Sequence, residues 1–356
     1  MKTEVLTLDG SPDDLAKIRH AAKLLQAGAL VAFPTETVYG LGADSRNAEA
    51  LARLIQVKGR DEHKPFALLV PTLRQAEEAA GGFSRVARKL TRLYWPGPLT
   101  VVVPRRGGGT VGLRLPDHPV TRALLAQGGF PLATPSANRS GTKEPLTAQQ
   151  VLEDLDGQIP LVLDGGPARQ GRPSTVVHLD ASGTPKVLRE GSIPAAEIQE
   201  AARPAILFVC TGNTCRSPMA EGICRQALQN MGLRKPQDLA YGVYSAGTSA
   251  ALGLRADALA LAVMREVRID LSTHRTRSLS PALLDGADWI FTMTWAHRES
   301  ILKLMPACRD RIRLLSALGE DIPDPATHPI EQYRLVRERI AHHMRDVLRT
   351  VHGASE

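Results

Sequence analysis

The segment Val209-Cys210-Thr211-Gly212-Asn213-Thr214-Cys215-Arg216-Ser217-Pro218 most restricts how this 356-residue chain can fold. Apolar Ala205–Val209 before it reads as a buried strand, and a helical pattern follows it. A strand, a short loop and a helix in that order aim backbone N–H groups and the positive helix end at one point. The Cys210-x5-Arg216 spacing brings a thiol and a guanidinium to that same point. Three phosphoryl oxygens can be held there, and the donors favour a thiolate at the centre. The planar fork of Arg216 chelates two of the oxygens. Gly212 is expected to permit the tight backbone, and Ser217 to hydrogen-bond the sulfur and help it leave as thiolate.

Attack by Cys210 on phosphorus forms a phosphocysteine, so a leaving group needs a proton and a water must later lose one. The best candidate for that acid is Asp324, in the stiff turn Ile322-Pro323-Asp324-Pro325 before a last helix over 330–351. An Asp-Pro pair is also an ordinary turn signal. The cysteine loop upstream is what gives it a chemical reading.

The length suits roughly two domains, and 43% apolar with 23% charged residues is a globular composition. Aromatics at 4% argue against a wall of base-stacking rings. The net charge of +7 is shared: residues 1–203 carry 25 basic and 21 acidic side chains, and 204–356 carry 19 and 16. That suits acidic ligands without marking a dedicated nucleic-acid domain. The four cysteines, Cys210, Cys215, Cys224 and Cys308, all lie in the second half and do not form a secreted disulfide framework. The opening MKTEVLTLDG lacks a signal-peptide stretch, and no apolar run is long enough to span a membrane. A cytoplasmic location is expected.

The first half reads as mixed α/β. Ser11 is the expected cap of a first helix whose apolar face is Leu15, Ile18, Ala22 and Leu25, with Gly28 as its stop. Strands are expected at 29–33, 67–70, 99–103, 161–163 and 175–179. Pro194–Pro204 is a short joint or terminal helix, so domains are placed at 1–203 and 204–356. No nucleophile stands out in the first half. Stiff turns carry hydroxyls and cations instead: Pro34–Leu41, Lys58-Gly59-Arg60, Trp95–Thr100, Thr110–Pro116, Thr134–Gly141, Ser174-Thr175 and Arg189-Glu190-Gly191. Lys58, Arg60, Lys64, Arg114 and Arg189 can neutralise a triphosphate. Gly-x4-Gly-Lys-Ser/Thr and Gly-x-Gly-x-x-Gly cradles are absent. Chemistry alone leaves an anion-binding cleft, or a solvated basic surface.

The motif series over about residues 10–200 resembles the YrdC/Sua family of threonylcarbamoyl-AMP synthases. The resemblance implies a twisted mixed sheet around an open cavity. It implies a reaction of L-threonine, bicarbonate and ATP to threonylcarbamoyl-AMP and pyrophosphate, with a transferase complex passing the product to adenosine 37 of tRNAs. It places Thr35, Arg114, Thr134 and Ser174 at threonine positions, with Arg114 on the carboxylate. Lys58, Arg60, Thr110, Ser136 and Arg189 fall at ATP positions. Mg²⁺ is expected with the ATP, on no protein metal site. Larger members carry a further domain that closes over the nucleotide, where this chain has its second half.

Residues 204–356 resemble the low-molecular-weight protein-tyrosine-phosphatase family, through Cys210–Glu221, Ser245-Ala246-Gly247-Thr248, Ser272-Thr273-His274-Arg275 and Asp324-Pro325. The resemblance implies a small parallel sheet with helices on both faces and no cofactor. It makes Cys210 the nucleophile, Arg216 the clamp and Asp324 the acid/base, with Asn213, Ser245 and His274 fixing the loop. Thr214 stands where tyrosine-specific members carry a bulky aliphatic, and Ala326 and Thr327 stand where eukaryotic members carry tyrosines. Bacterial relatives with threonine in the loop resemble protein arginine phosphatases, so a phosphoarginine protein substrate is expected, with phosphotyrosine as the alternative. Cys215 is either a reversible partner for Cys210 or a small packed residue, and Cys224 reads as helix packing. The same fold serves arsenate reductases, which need further relay cysteines that this chain lacks. A different reading makes the first half an RNA-binding module without synthase activity, so RNA contact stays open. Another makes the second half a phosphate-sensing relic.

Overall fold

The computed structural model describes residues 2–59, 65–105, 107–180, 183–231 and 241–353. They form two compact units, Met1–Ala202 and Arg203–Glu356. Among the described residues no helix is long and apolar enough to cross a membrane.

The first unit is built on a ten-stranded mixed sheet. Its strands run, in spatial order, Glu4–Thr7, Leu161–Asp164, Val31–Pro34, Tyr39–Asp44, Leu132–Ala133, Leu68–Leu69, Thr110–Arg114, Leu99–Pro104, Thr175–Leu179 and Pro185–Arg189. Parallel and antiparallel pairings are mixed along it. Period-two alternation decides what each strand gives to each face. Val31 and Phe33 pack with helices Asp14–Gln26 and Pro119–Gly128, while Ala32 faces helices Ala48–Lys58 and Ala148–Leu155. In the other half of the sheet, Leu99, Val101, Val103, Val111, Leu113, Val177 and Leu179 face helices Leu73–Ala80, Arg85–Tyr94 and Ala195–Ala202. Their alternates Thr100, Thr110, Gly112 and Arg114 therefore share the opposite face. That face carries the polar chemistry of this unit.

The second unit has four parallel strands in the order Gly242–Gly247, Ala205–Cys210, Trp289–Thr292 and Ile312–Leu314. Ala205–Cys210 is buried throughout, as a central parallel strand must be. Ile206 and Phe208 pack with helices Arg216–Asn230, Ala258–Glu266 and Ile330–Gly353 on one face. Leu207 and Val209 pack with Pro281–Gly286 and Trp295–Leu304 on the other. In the last helix Val336, Ile340, Met344 and Val347 are all buried, one stripe at helical spacing. The cysteine loop leaves the carboxyl end of the central strand, where open parallel sheets present their ligand sites.

Three expectations need correction. The first helix begins at Asp14 and is capped by Asp13 without a side-chain bond, not by Ser11. Asp14 itself reaches back, accepting from the Gly10 N–H at 2.8 Å. Leu15 is exposed, because the helix rotates the stripe onto Ile18, Ala21, Ala22 and Leu25. Gly212 does not take the left-handed backbone of the loop. Asn213 does, at φ 56°.

Candidate active sites

In the second unit, Cys210 Sγ lies 2.9 Å from Ser217 Oγ, the hydroxyl presented by the first turn of helix Arg216–Asn230. Asn213 Nδ2 donates to Ser217 Oγ at 2.9 Å and to Ser245 Oγ at 2.8 Å. Its Oδ1 accepts from the Arg277 N–H at 2.9 Å. The His274 ring contacts the Asn213 carbonyl through Nε2 at 2.8 Å. Ser245 passes the chain on to Glu221 Oε2 at 2.5 Å, and Glu221 pairs with Arg225 at 2.6 Å. Buried polar groups are thus joined into one network rather than left single. Gly247 lets the loop come this close: a Cβ there would sit 2.3 Å from the Thr211 carbonyl oxygen.

Arg216 donates from Nη1 to the Ile322 carbonyl at 3.1 Å, and its Nη2 meets the Asp324 carboxylate. The clamp and the acidic turn therefore touch. The Arg216 side chain is buried while that of Asp324 is half exposed, at 51%. Thr214 Oγ1 lies 3.4 Å from Cys215 Sγ. Cys215 packs in the main core of this unit, and its burial pushes the thiol up. All four cysteines are free and buried, with Cys224 on the packed helix face as read from the sequence.

Sequence reasoning missed His297. Its Nε2 lies 2.8 Å from Thr211 Oγ1 and its Nδ1 2.8 Å from Thr294 Oγ1. It links the cysteine loop to the strand end that follows Trp289–Thr292. A lone histidine on a helical first turn carries no pattern that marks it. Only the fold brings it to the loop.

In the first unit, Thr35 forms a hydroxyl-closed turn. Its Oγ1 donates to the Val38 carbonyl at 2.6 Å and lies 2.8 Å from Thr37 Oγ1. Arg114 Nη2 donates to Thr37 Oγ1 at 3.0 Å, and Nε donates to the Gly97 carbonyl at 3.1 Å. Thr100 Oγ1 meets Ser174 Oγ at 2.9 Å, and Arg189 Nη2 donates to the Ser174 carbonyl at 3.0 Å. Burial holds the Arg189 guanidinium below its ordinary value. Lys58 Nζ donates to the Ser136 carbonyl at 2.7 Å and to Asn138 Oδ1 at 3.1 Å. The segment carrying Thr134 and Ser136 is pinned to strand Tyr39–Asp44, since Leu41 N donates to Pro135 O and Ala137 N to Tyr39 O. Thr134 lies against that strand at Gly40. Thr35, Thr37, Arg114, Thr100, Ser174 and Arg189 thus gather around the Trp95–Thr100 segment. Lys58, Thr134 and Ser136 gather on the strand that leaves the Thr35 turn. Thr110 is exposed at the far end of the Arg114 strand, about 13 Å along it. Arg60 and Lys64 lie outside the described residues. Glu36 is a second residue the sequence reading passed over: it is 1% exposed, and Arg114 Nη2 lies 2.7 Å from its Oε1.

A family model described as Sua5/YciO/YrdC, telomere recombination, matches residues 23–191, and one described as low molecular weight phosphotyrosine protein phosphatase matches 205–355. The threonylcarbamoyl-AMP synthase of Thiobacillus denitrificans is 40% identical over 174 residues, covering 46% of this chain and 90% of that one. The chain belongs to the threonylcarbamoyl-AMP synthase family. The Bacillus subtilis synthase is 37% identical over 217 residues, 58% of this chain, and this synthase-family chain spans 62% of that relative's length. The crystal structure of Pyrococcus abyssi Sua5 complexed with L-threonine aligns over 96% of this chain and 98% of its own, at 24% identity and a TM-score of 0.52, a likeness of fold. The Geobacillus stearothermophilus YwlE arginine phosphatase is 33% identical, covering 42% of this chain and 94% of its own, with a TM-score of 0.38.

Two outcomes follow for the second unit of this synthase-family chain. A hydrogen bond to a charged acceptor contributes about 1.5–3 kcal/mol, so Ser217→Ala should lower kcat about tenfold to a hundredfold with little change in KM. Steady-state kinetics on a phosphorylated peptide measures this, and an unchanged kcat would remove Ser217 from thiolate stabilisation. His297 is lowered to about 4, first by burial and then by Arg216. Its neutral ring contributes stability that is complete above the unfolded value of 6.5 and is lost as pH falls from there toward about 4. Urea unfolding of the second unit should therefore weaken more steeply with acid in the wild type than in His297→Gln. Parallel slopes would show that the ring is not buried neutral.

Proposed function

We propose that the chain is a bifunctional cytoplasmic enzyme. Its first unit makes threonylcarbamoyl-AMP, and its second is a cysteine-dependent protein phosphatase. The observation that supports the first activity most is the buried guanidinium of Arg114, held by a hydroxyl turn and a carbonyl, with Arg189 and Lys58 on adjoining segments. L-threonine and bicarbonate condense to a carbamate. The carbamate oxygen attacks the α-phosphorus of ATP and pyrophosphate leaves. Arg114 takes the amino acid's carboxylate, and Thr35, Thr134 and Ser174 supply neighbouring hydroxyls. Lys58, Arg60, Ser136, Thr110 and Arg189 hold the nucleotide. The protein's work is positioning and charge stabilisation. Mg²⁺ enters as part of MgATP. The product is a substrate for a transferase complex that modifies adenosine 37 of tRNA.

In the second unit Cys210 attacks phosphorus, Arg216 clamps the oxygens, and Asp324 first gives and then takes the proton. Asn213, Ser245 and His274 hold the loop. Thr214 supports phosphoarginine over phosphotyrosine. Its short hydroxyl side chain leaves room for a planar guanidinium and can orient water, where a bulky aliphatic would pack a phenol ring.

Pyrophosphate release should require both L-threonine and bicarbonate, disappear in Lys58→Ala and persist in Cys210→Ser. Release without L-threonine would end the synthase reading. The wild type should turn over a phosphoarginine peptide faster than a phosphotyrosine peptide, and Thr214→Ile should narrow or reverse that ratio. A wild-type preference for phosphotyrosine would end the phosphoarginine reading.

A further inference from the structure

Neither carboxylate oxygen of Glu36 has a hydrogen-bond partner among the described residues, although the side chain is buried. The 2.7 Å approach of Arg114 Nη2 is an ion contact without an aligned N–H. Nη2 donates instead to Thr37 Oγ1, and Nε to Gly97 O. The Glu36 charge reaches His118, whose Nδ1 is likewise buried without a hydrogen-bond partner among the described residues. Burial, and after it the charge of Arg169, holds the His118 ring below the ordinary imidazole value, so at neutral pH it adds no cation. Glu36 thus keeps charge balance from Arg114 but none of the donors that a buried carboxylate needs.

A ligand that completes this arrangement must bring N–H donors to Glu36 and acceptor oxygens to Arg114. Glu36 and Arg114 face each other with opposite charges, so a ligand that meets both carries both signs. An α-amino acid zwitterion meets these conditions. We propose that Glu36 receives the α-ammonium group of the amino-acid substrate while Arg114 receives its carboxylate. This rests on the reading of the first unit as a threonine-using synthase. Two charged contacts of opposite sign fix the nitrogen that later bonds to the bicarbonate carbon. A hydroxyl contact to the side chain adds a third point and so selects one enantiomer. Thr35 and Thr37 flank Glu36 in sequence, and their hydroxyls fix the turn and the Arg114 guanidinium.

The test is equilibrium binding of two ligands to the intact chain, L-threonine and (R)-3-hydroxybutanoate, which keeps the carboxylate and hydroxyl but lacks the amine. Wild-type protein should bind L-threonine at least about tenfold more tightly than the desamino acid, the range for a charged hydrogen bond. Glu36→Gln should bring the ratio close to one, mainly by weakening L-threonine. Glu36→Asp, which keeps the charge, should restore part of it and serves as the variant if the glutamine form fails to fold. Equal weakening of both ligands would mean that Glu36 only orients Arg114, and the proposal falls while the synthase reading stands. No binding of L-threonine to the wild type would overturn both.

Discussion

A loop that aims its N–H groups at one point cannot satisfy its own carbonyls and turns by ordinary helix or sheet bonding. Something outside the loop has to hold it. In the second unit that task falls to Asn213, whose left-handed backbone turns the chain and whose amide grips both Ser217 and Ser245. Asparagine is one of the few non-glycine residues that tolerate this conformation, and it adds the side-chain bonds that glycine lacks. Its position explains why the surrounding polar residues are buried. Ser245 and Glu221 extend the grip inward, and the Arg277 N–H and the His274 ring close it from a separate segment. The geometry of Cys210 and Ser217 depends on that frame.

The first unit solves a related problem differently. No single residue organises its cations. The face opposite the Leu99–Leu113 core carries Thr100, Gly112 and Arg114 because strand alternation puts them there. The Trp95–Thr100 segment then links Arg114 to Ser174 and Arg189 through the Gly97 carbonyl and the Thr100 hydroxyl. Arg189 and Lys58 both rest on carbonyl oxygens, and Arg189 also lies 3.9 Å from Glu144. Arg114 has the buried Glu36 carboxylate beside it.

Much of this was legible in the sequence where chemistry is local. The spacing from Cys210 to Arg216 stated the loop, and burial of both faces was written in the run Ala205–Val209. Strand 175–179 and the last helix follow directly from their patterns. The misses share a cause. Ser11 and Asp13 are both good local cap residues, and only the geometry of the turn chooses between them. Glycine is the usual answer for a left-handed residue, so Gly212 drew the assignment that the hydrogen bonds of Asn213 give to Asn213. His297 and Glu36 act across 86 and 78 positions of sequence, toward Thr211 and Arg114. Nothing in their neighbours along the chain encodes such pairings.

The contact between Arg216 and Asp324 makes the residues around the cysteine loop better treated as one unit than as separate roles. The arginine that would hold the phosphoryl oxygens also holds the acidic turn, through the Ile322 carbonyl and the Asp324 carboxylate. A phosphoryl group entering the loop brings negative charge to the same guanidinium. A buried, planar guanidinium can face two groups at once, so one side chain positions both the phosphoryl oxygens and the acidic turn.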